Sequence, residues 1–342
     1  MEFPRVPIVI LNWNGWRDTI ECLESLYRIT YPSYDVIVVD NNSEDDSIQR
    51  ILEYCNGDLK VNSMFFEYVD DNKPIKVFEL DEDKARKGAF NLNLYEKYES
   101  NRRLILIKNM ANYGFASGNN IAIRFAMSVF EPRYILLLNN DVVVERNFLG
   151  YLVEFAEKDM KVGIVGPKIL RKENPNIIDS TGHVFKLGRI VDRGEGEVDR
   201  GQYDSETNVV GFMAATVLYR TEMLRSIGLF DEDYFLCYED AELSWRAYVN
   251  GWRAKYVPSA VVYHGKSVST RKNKETSGFT SEFCTRNVIR TILRHGSATQ
   301  KMLLVPLLMH YFITYSADWI TGKNKLGPIP YLKGFLKLLR ER

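Results

Sequence analysis

A chain of 342 residues is long enough for one large domain or two ordinary ones, and for a sizeable buried core. Its 45 Lys and Arg balance its 45 Asp and Glu, so no net field draws in nucleic acid and any anion site must be built locally. Cys22, Cys55, Cys237 and Cys284 show no paired spacing of a zinc or redox motif. They are expected as reduced, mostly buried thiols of a cytosolic protein, in keeping with an N-terminus that lacks signal-peptide features.

Along the chain, "VPIVILNWN" (6–14) is an apolar run ending in amides, and "WRDTIECLESLYRI" (16–29) has helical spacing at Ile20, Leu23, Leu26 and Tyr27. "YDVIVVDNNS" (34–43) predicts a second buried strand that hands over to a helix near Ser43. The charged segment at about 65–101 predicts a surface insertion with a strand at "IKVFEL" and a helix nearby. "RLILIKN" (103–109) and "YILLL" (134–138) predict two further strands with a helix between them. Continuous apolar strands alternating with helices indicate an α/β fold, a mainly parallel sheet covered on both faces.

Ligands in such sheets sit beyond the carboxyl ends of the strands. Asn12 and Asn14, Asp40, Asn109 with Asn112, and Asn139 to Asp141 all fall just past strand ends. Each fits an ordinary turn, since Asn and Asp bond back to the local backbone, and together they describe a polar crevice. "ANYGFASGNN" (111–120) leads into a helix and offers backbone amides to a phosphate, though it is neither a dinucleotide fingerprint nor a P-loop. The Gly-rich, charged stretch at 177–204 reads as a loop or hairpin region, and loops of that length are usually lids or binding loops. Glu239 and Asp240 open a helix, where carboxylates also serve as plain dipole partners, and His264 closes a strand "AVVYH".

The ordered set "VPIVILNWNG", "VIVVDNNSEDDS", "NYGFASGNN", "YILLLNNDVVV", "GFMAATVLYR", "GLFDEDYFLCYEDAELSWRAYVNGW" and "VYHGKS" resembles the inverting glycosyltransferases of family 2, in particular their rhamnosyltransferase-like branch. The resemblance implies a GT-A fold over 1–270, with a nucleotide-binding half (1–145) joined to an acceptor-binding half (146–270), and a C-terminal helical extension (271–342). It implies a nucleoside-diphosphate sugar donor (dTDP, UDP or GDP), contacted by Asp40 with Asn12, Asn14 and Asn42, by the loop carrying Gly114, Gly118 and Asn119, and by Asn139 and Asn140. Asp141, with His264, would hold Mg²⁺ or Mn²⁺. Asn139 departs from the family's D-x-D pattern, because an amide supplies no charge. Asp240 would be the catalytic base with Glu239 beside it, and Met213, Ala214 and Trp245 would line the site of a glycan or lipid-linked acceptor. Lys266 and the loop around Arg193 are expected to close over the donor. A sugar nucleotidyltransferase would want a Gly-rich basic loop after the first strand, which "LNWNGWRDT" does not provide, and a non-catalytic relative would have lost Asp240 or Asp141.

"MLLVPLLMHYFITYSADWI" (302–320) approaches the ~20 residues that cross a bilayer, but Pro306, His310 and Asp318 oppose spanning. "YLKGFLKLLRER" (331–342) sets Leu332, Phe335, Leu336 and Leu339 against Lys333, Lys337 and Arg340. This pattern predicts either a basic amphipathic helix in a membrane interface or one packed on the domain or in a homodimer. The resemblance favours peripheral attachment at the cytoplasmic face of the cell membrane.

Overall fold

The computed structural model describes residues 3–265, 274–321 and 329–340. The first half runs β1 (Val6–Asn12), α1 (Trp16–Leu26), β2 (Tyr34–Asp40), α2 (Ser47–Asn56), β3 (Lys76–Asp81), α3 (Glu82–Arg86), α4 (Leu92–Tyr95), β4 (Arg103–Lys108), α5 (Gly114–Val129) and β5 (Tyr134–Leu138). Strands β3, β4, β2, β1 and β5 lie side by side, all parallel. The charged segment expected as a surface insertion contributes β3, which extends the sheet as its edge strand.

Successive side chains of a strand point to opposite faces, so a strand covered on both sides must be apolar at every position. Val6, Ile8 and Ile10 of β1 and Leu104 and Leu106 of β4 enter one core with α1, α2 and α6 (Phe148–Glu157). Val9, Ile105 and Ile107 enter the opposite core with α5.

The second half adds β6 (Val142–Val144), β7 (Val162–Arg171), β8 (Asn174–Ser180), the hairpin β9 (His183–Lys186) and β10 (Arg189–Asp192), β11 (Asn208–Val209), β12 (Thr216–Arg220), α7 (Thr221–Ile227), α8 (Glu239–Val249) and β13 (Arg253–His264). Strand β12 pairs antiparallel with β5 and β7, joining both halves in one sheet of order β11-β13-β7-β12-β5-β1-β2-β4-β3, with β6 on β13 and β8 on β7. Of the loop or hairpin expected at 177–204, the first part is the end of β8 and the hairpin of β9 and β10, followed by turns.

Among the described residues four helices follow: α9 (Lys274–His295), α10 (Ala298–Met302), α11 (Leu304–Ile320) and α12 (Ile329–Arg340). A capping box between Ser297 and Gln300 starts α10. Among the described residues no helix is long and apolar enough to cross a membrane. The C-terminal helices pack on the second half of the sheet instead. Val288, Ile289 and Ile292 of α9 and Leu304 and Leu307 of α11 share a core with Ala241 and Trp245 of α8. The outer faces remain apolar, with Val305, Met309, Phe312, Ile313, Leu332 and Leu336 exposed beside Lys333 and Lys337.

Two of the cysteines depart from expectation. Cys237 and Cys284 form a disulfide, their Cα atoms 5.2 Å apart, while Cys22 and Cys55 are free and buried as expected. The partners stand 47 residues apart and meet only because α9 folds back across the start of α8. The cysteines therefore give no support to a reducing compartment. Alkylation of the non-reduced, denatured chain is expected to label Cys22 and Cys55 alone. Labelling of all four thiols would remove the disulfide.

Candidate functional site at the carboxyl edge of the sheet

Parallel strands that stop at one edge leave their following residues in a row, and the row here is polar. Asp40, at the end of β2, is buried. Its Oδ1 accepts from Asn12 Nδ2 at 2.8 Å and from Ser43 Oγ at 2.6 Å, and its Oδ2 accepts from the Ser43 N–H at 3.0 Å. Asn12 is also buried and its Oδ1 accepts from Thr19 Oγ1 at 2.8 Å, so this amide ties Asp40 to α1. Asn14 and Asn42 are exposed, both with positive φ. Asn14 Oδ1 accepts from the Glu44 N–H at 2.8 Å, bridging the loops after β1 and β2.

Sequence reasoning passed over Asn41. It is buried, and it donates to Asn112 Oδ1 at 2.9 Å and to the Gly114 carbonyl at 3.1 Å while accepting from Asn109 Nδ2 at 3.0 Å. The loop expected at Gly114 to Asn119 is already the first turns of α5. A Cβ at Gly114, where φ is +73°, would stand 2.3 Å from the Phe235 carbonyl, and one at Gly118 would stand 2.8 Å from Leu11. These glycines let α5 approach its neighbours closely. Asn119 turns back onto its own helix, donating to the Phe115 carbonyl at 2.9 Å.

Beyond β5 the chain turns through Asn139, Asn140 and Asp141. The Asn139 N–H donates to the Ala215 carbonyl at 2.8 Å, and Asn140 Nδ2 to Thr19 Oγ1 at 3.1 Å. Asp141 is buried, and neither of its carboxylate oxygens has a hydrogen-bond partner among the described residues. His264 Nε2 approaches Asp141 Oδ1 at 3.4 Å, too long for a good hydrogen bond, while its Nδ1 lies 2.8 Å from Asp179 Oδ2. Burial opposes a charge on His264, but Asp141 and Asp179 outweigh it and raise the imidazole pKa to about 10.

An isolated buried carboxylate is costly unless a cation or donors meet it, so Asp141 suits a divalent ion. Among the described residues no three His, Cys, Asp or Glu gather as a metal cage. An ion at Asp141 and His264 would therefore complete its shell from a ligand or water, as Mg²⁺ commonly does with substrate phosphates.

Across the site, Asp240 opens α8. Its Oδ2 accepts from the Ala214 N–H at 2.9 Å and its Oδ1 from the Ala241 N–H at 2.7 Å. The preceding Cys237 and Tyr238 have φ of +73° and +71°, a conformation that non-glycine residues rarely adopt. It is held by the disulfide, by Asn287 Nδ2 donating to the carbonyls of Leu236 and Cys237 at 3.0 and 2.7 Å, and by Tyr238 Oη bonded to Ile190. Such strain persists where the surroundings over-determine it. Glu239 is buried and its Oε2 has no partner; burial and the adjacent Asp240 charge raise its pKa well above the usual carboxyl range.

Two expected contacts are corrected. Trp245, expected at the acceptor, is fully buried between Phe185 and the α9–α11 core. Five residues along a helix turn it to the other side of α8 from Asp240. Arg193, expected in a closing lid, is fixed by Thr181, whose Oγ1 and carbonyl it meets at 3.0 and 2.9 Å, and by the rings of Tyr203 and Tyr256. Met213 is half-buried and Ala214 buried beside Asp240. Lys266 lies outside the described residues.

Residues 93–288 match the family described as Glycosyltransferase like family 2, and residues 8–92 match Glycosyl transferase family 2. The chain belongs to glycosyltransferase family 2. Among curated proteins this family 2 chain is 28% identical over 187 residues to N-acetylglucosaminyl-diphospho-decaprenol L-rhamnosyltransferase of Mycobacterium tuberculosis, over 49% of this chain and 61% of that protein. It is 30% identical over 143 residues to an O-antigen biosynthesis protein of Myxococcus xanthus, covering 40% of this chain and 11% of that one. The match thus spans about three fifths of the Mycobacterium protein and a small part of the Myxococcus one.

Among solved structures it resembles a mannosyltransferase from Pyrobaculum calidifontis in complex with GDP-Man and Mn²⁺, with a TM-score of 0.55 and 15% identity over 100% of this chain and 89% of that one. It also resembles residues 1–349 of Staphylococcus aureus TarS, with a TM-score of 0.54 and 16% identity over 98% and 79% of the two chains. The fold is GT-A, as the resemblance in sequence implied.

The raised Glu239 pKa has a measurable consequence. A carboxyl that binds its proton more tightly in the folded chain stabilises the fold below the unfolded value of ~4.3, and that contribution is lost as pH rises through the folded value. Glu239→Gln is therefore expected to gain stability relative to the parent as pH rises from about 5 to about 8. Urea unfolding at the two pH values checks this, and a difference independent of pH would contradict it.

Proposed function

We propose that this chain is an inverting, divalent-metal-dependent glycosyltransferase that moves a sugar from a nucleoside-diphosphate donor to a hydroxyl of a glycan or lipid-linked acceptor in cell-surface polysaccharide synthesis. The observation that carries the reading is the buried Asp141 carboxylate, unbonded at both oxygens and facing His264 at 3.4 Å. Bound there, Mg²⁺ or Mn²⁺ would neutralise the charge that develops on the departing diphosphate.

The chain's own residues supply the remainder. Asp40, locked by Asn12 and Ser43, keeps one Oδ2 lone pair for the nucleoside at the end of β2, with the turns carrying Asn14 and Asn42 beside it and those of Asn139 and Asn140 at the same sheet edge. Gly114 and Gly118 bring the first turns of α5 close to Asn41 and Phe235 at the same edge. Asp240, aimed by two backbone N–H groups, takes the proton of the acceptor hydroxyl as its oxygen attacks the anomeric carbon. The bond to the diphosphate breaks on the opposite face, which inverts the configuration. Burial and the Asp240 charge bias Glu239 toward its neutral form, which limits a second negative charge where the acceptor must approach.

The GDP-Man and Mn²⁺ of the Pyrobaculum structure and the lipid-linked substrate named for the Mycobacterium relative support the same reading. The exposed apolar faces of α11 and α12, flanked by Lys333 and Lys337, support peripheral contact with an anionic membrane at the cytoplasmic face.

Release of nucleoside diphosphate from a panel of dTDP-, UDP- and GDP-sugars with Mn²⁺ and an acceptor tests the chemistry. Asp240→Asn is expected to lower turnover by about 10²–10⁴-fold while leaving donor affinity largely unchanged, and normal turnover would sink the base assignment. For the surface, flotation of the full chain with anionic vesicles is expected, together with its loss in Phe312→Glu/Ile313→Glu. Failure of the parent chain to float, or equal flotation of the variant, would overturn membrane contact through this face.

A further inference from the structure

Asp179 has no part in the reading above, yet the sheet is irregular where it stands. Ser180 of β8 faces Ile169 of β7 and Ile178 faces Leu170, leaving Asp179 as the extra residue between them. An extra residue of this kind re-aims a side chain, often beside an active site. On the other side of β7, His264 pairs with Arg171. Asp179 thus reaches across β7 to the end of β13, where its Oδ2 lies 2.8 Å from His264 Nδ1, while Arg171 Nε lies 3.4 Å from its Oδ1. Asp179 is buried, and among the described residues Arg171 and His264 compensate its charge.

The backbone holds the other end of the ring. The Lys172 N–H donates to the His264 carbonyl at 2.9 Å, and the Gly265 N–H donates to the Asp141 carbonyl at 2.9 Å. These bonds fix the backbone and not the ring itself; among the described residues, the hydrogen bond to Asp179 is what sets which nitrogen faces Asp141.

We infer that Asp179 is a positioning residue for cation binding: it accepts the Nδ1–H of His264 and thereby turns Nε2 toward Asp141, where a cation that displaces the Nε2 proton would take its lone pair. The inference rests on the metal-dependent reading of this site and adds to it a residue that touches neither metal nor substrate. A carboxylate behind a metal-binding imidazole fixes its tautomer and orientation and raises its basicity. Arg171 holds the carboxylate in turn, so the order across three strands is Arg171, Asp179, His264, Asp141.

The test is Mn²⁺ titration of the full-length protein, followed by the electron paramagnetic resonance signal of the free ion, with dTDP, UDP or GDP present. Asp179→Asn is expected to weaken Mn²⁺ binding by about 10–100-fold. In a His264→Ala background the same substitution is expected to change Mn²⁺ affinity no further, because Asp179 acts through the imidazole; a merely structural role would add its loss in both backgrounds. Equal Mn²⁺ affinity of Asp179→Asn and the parent, or the same further loss in the His264→Ala background, would overturn the inference while leaving metal dependence standing. A parent protein that binds no Mn²⁺ with any of the three nucleotides would overturn the metal-dependent reading itself.

Discussion

The site depends on a buried carboxylate left without hydrogen bonds. Burying Asp141 in this state is unfavourable by itself, and the chain tolerates it because the turn that carries it is fixed from several sides. The Asn139 N–H reaches β12, Asn140 reaches α1, and the Asp141 carbonyl accepts from Gly265 at the end of β13. Three separate stretches of chain thus converge on one residue. The parallel block supplies the turn, and β13, parallel to β7 and joined to the block through the antiparallel β12, supplies the histidine that faces it.

The second carboxylate is held by another device. Asp240 begins α8, where backbone N–H groups point outward and favour negative charge. One of its two donors is Ala214, which leads into β12, so the strand that joins the halves of the sheet also aims the acid. The segment before it would relax without support, since two successive residues adopt the left-handed conformation. Helix α9 supplies that support through Cys284 and Asn287, and Glu242 of α8 meets His295 at the end of α9 at 2.8 Å. The C-terminal extension therefore bears on the catalytic half as a structural part of it. Its outward apolar faces are left over once that packing is satisfied.

Much of this was legible in the sequence because it is periodic or local. Continuous apolar runs such as "VIVV" and "LILI" encode buried parallel strands, and the polar residues after them mark the ligand edge whatever the ligand is. What was not legible depends on residues distant in the chain. Asp179 reads as an acid after two isoleucines in a Gly-rich stretch, and only the irregular pairing of β8 with β7 aims it at a histidine 85 residues away. The Cys237–Cys284 pair likewise needs α9 to fold back. Trp245 shows the opposite error: the resemblance put it at the acceptor, whereas helical geometry turns it into the core. For Gly114 and Gly118 the residue type was informative but the reason differed, because they relieve close packing of α5.

The account turns on whether a cation is held where Asp141 and His264 face each other. The most direct measurement is anomalous diffraction at the manganese edge from crystals grown with Mn²⁺ and a nucleoside diphosphate. A single strong peak between the Asp141 carboxylate and His264 Nε2, with the diphosphate on its open side, is the predicted result. A bound nucleotide with no peak there, or a peak held by other residues, would contradict it.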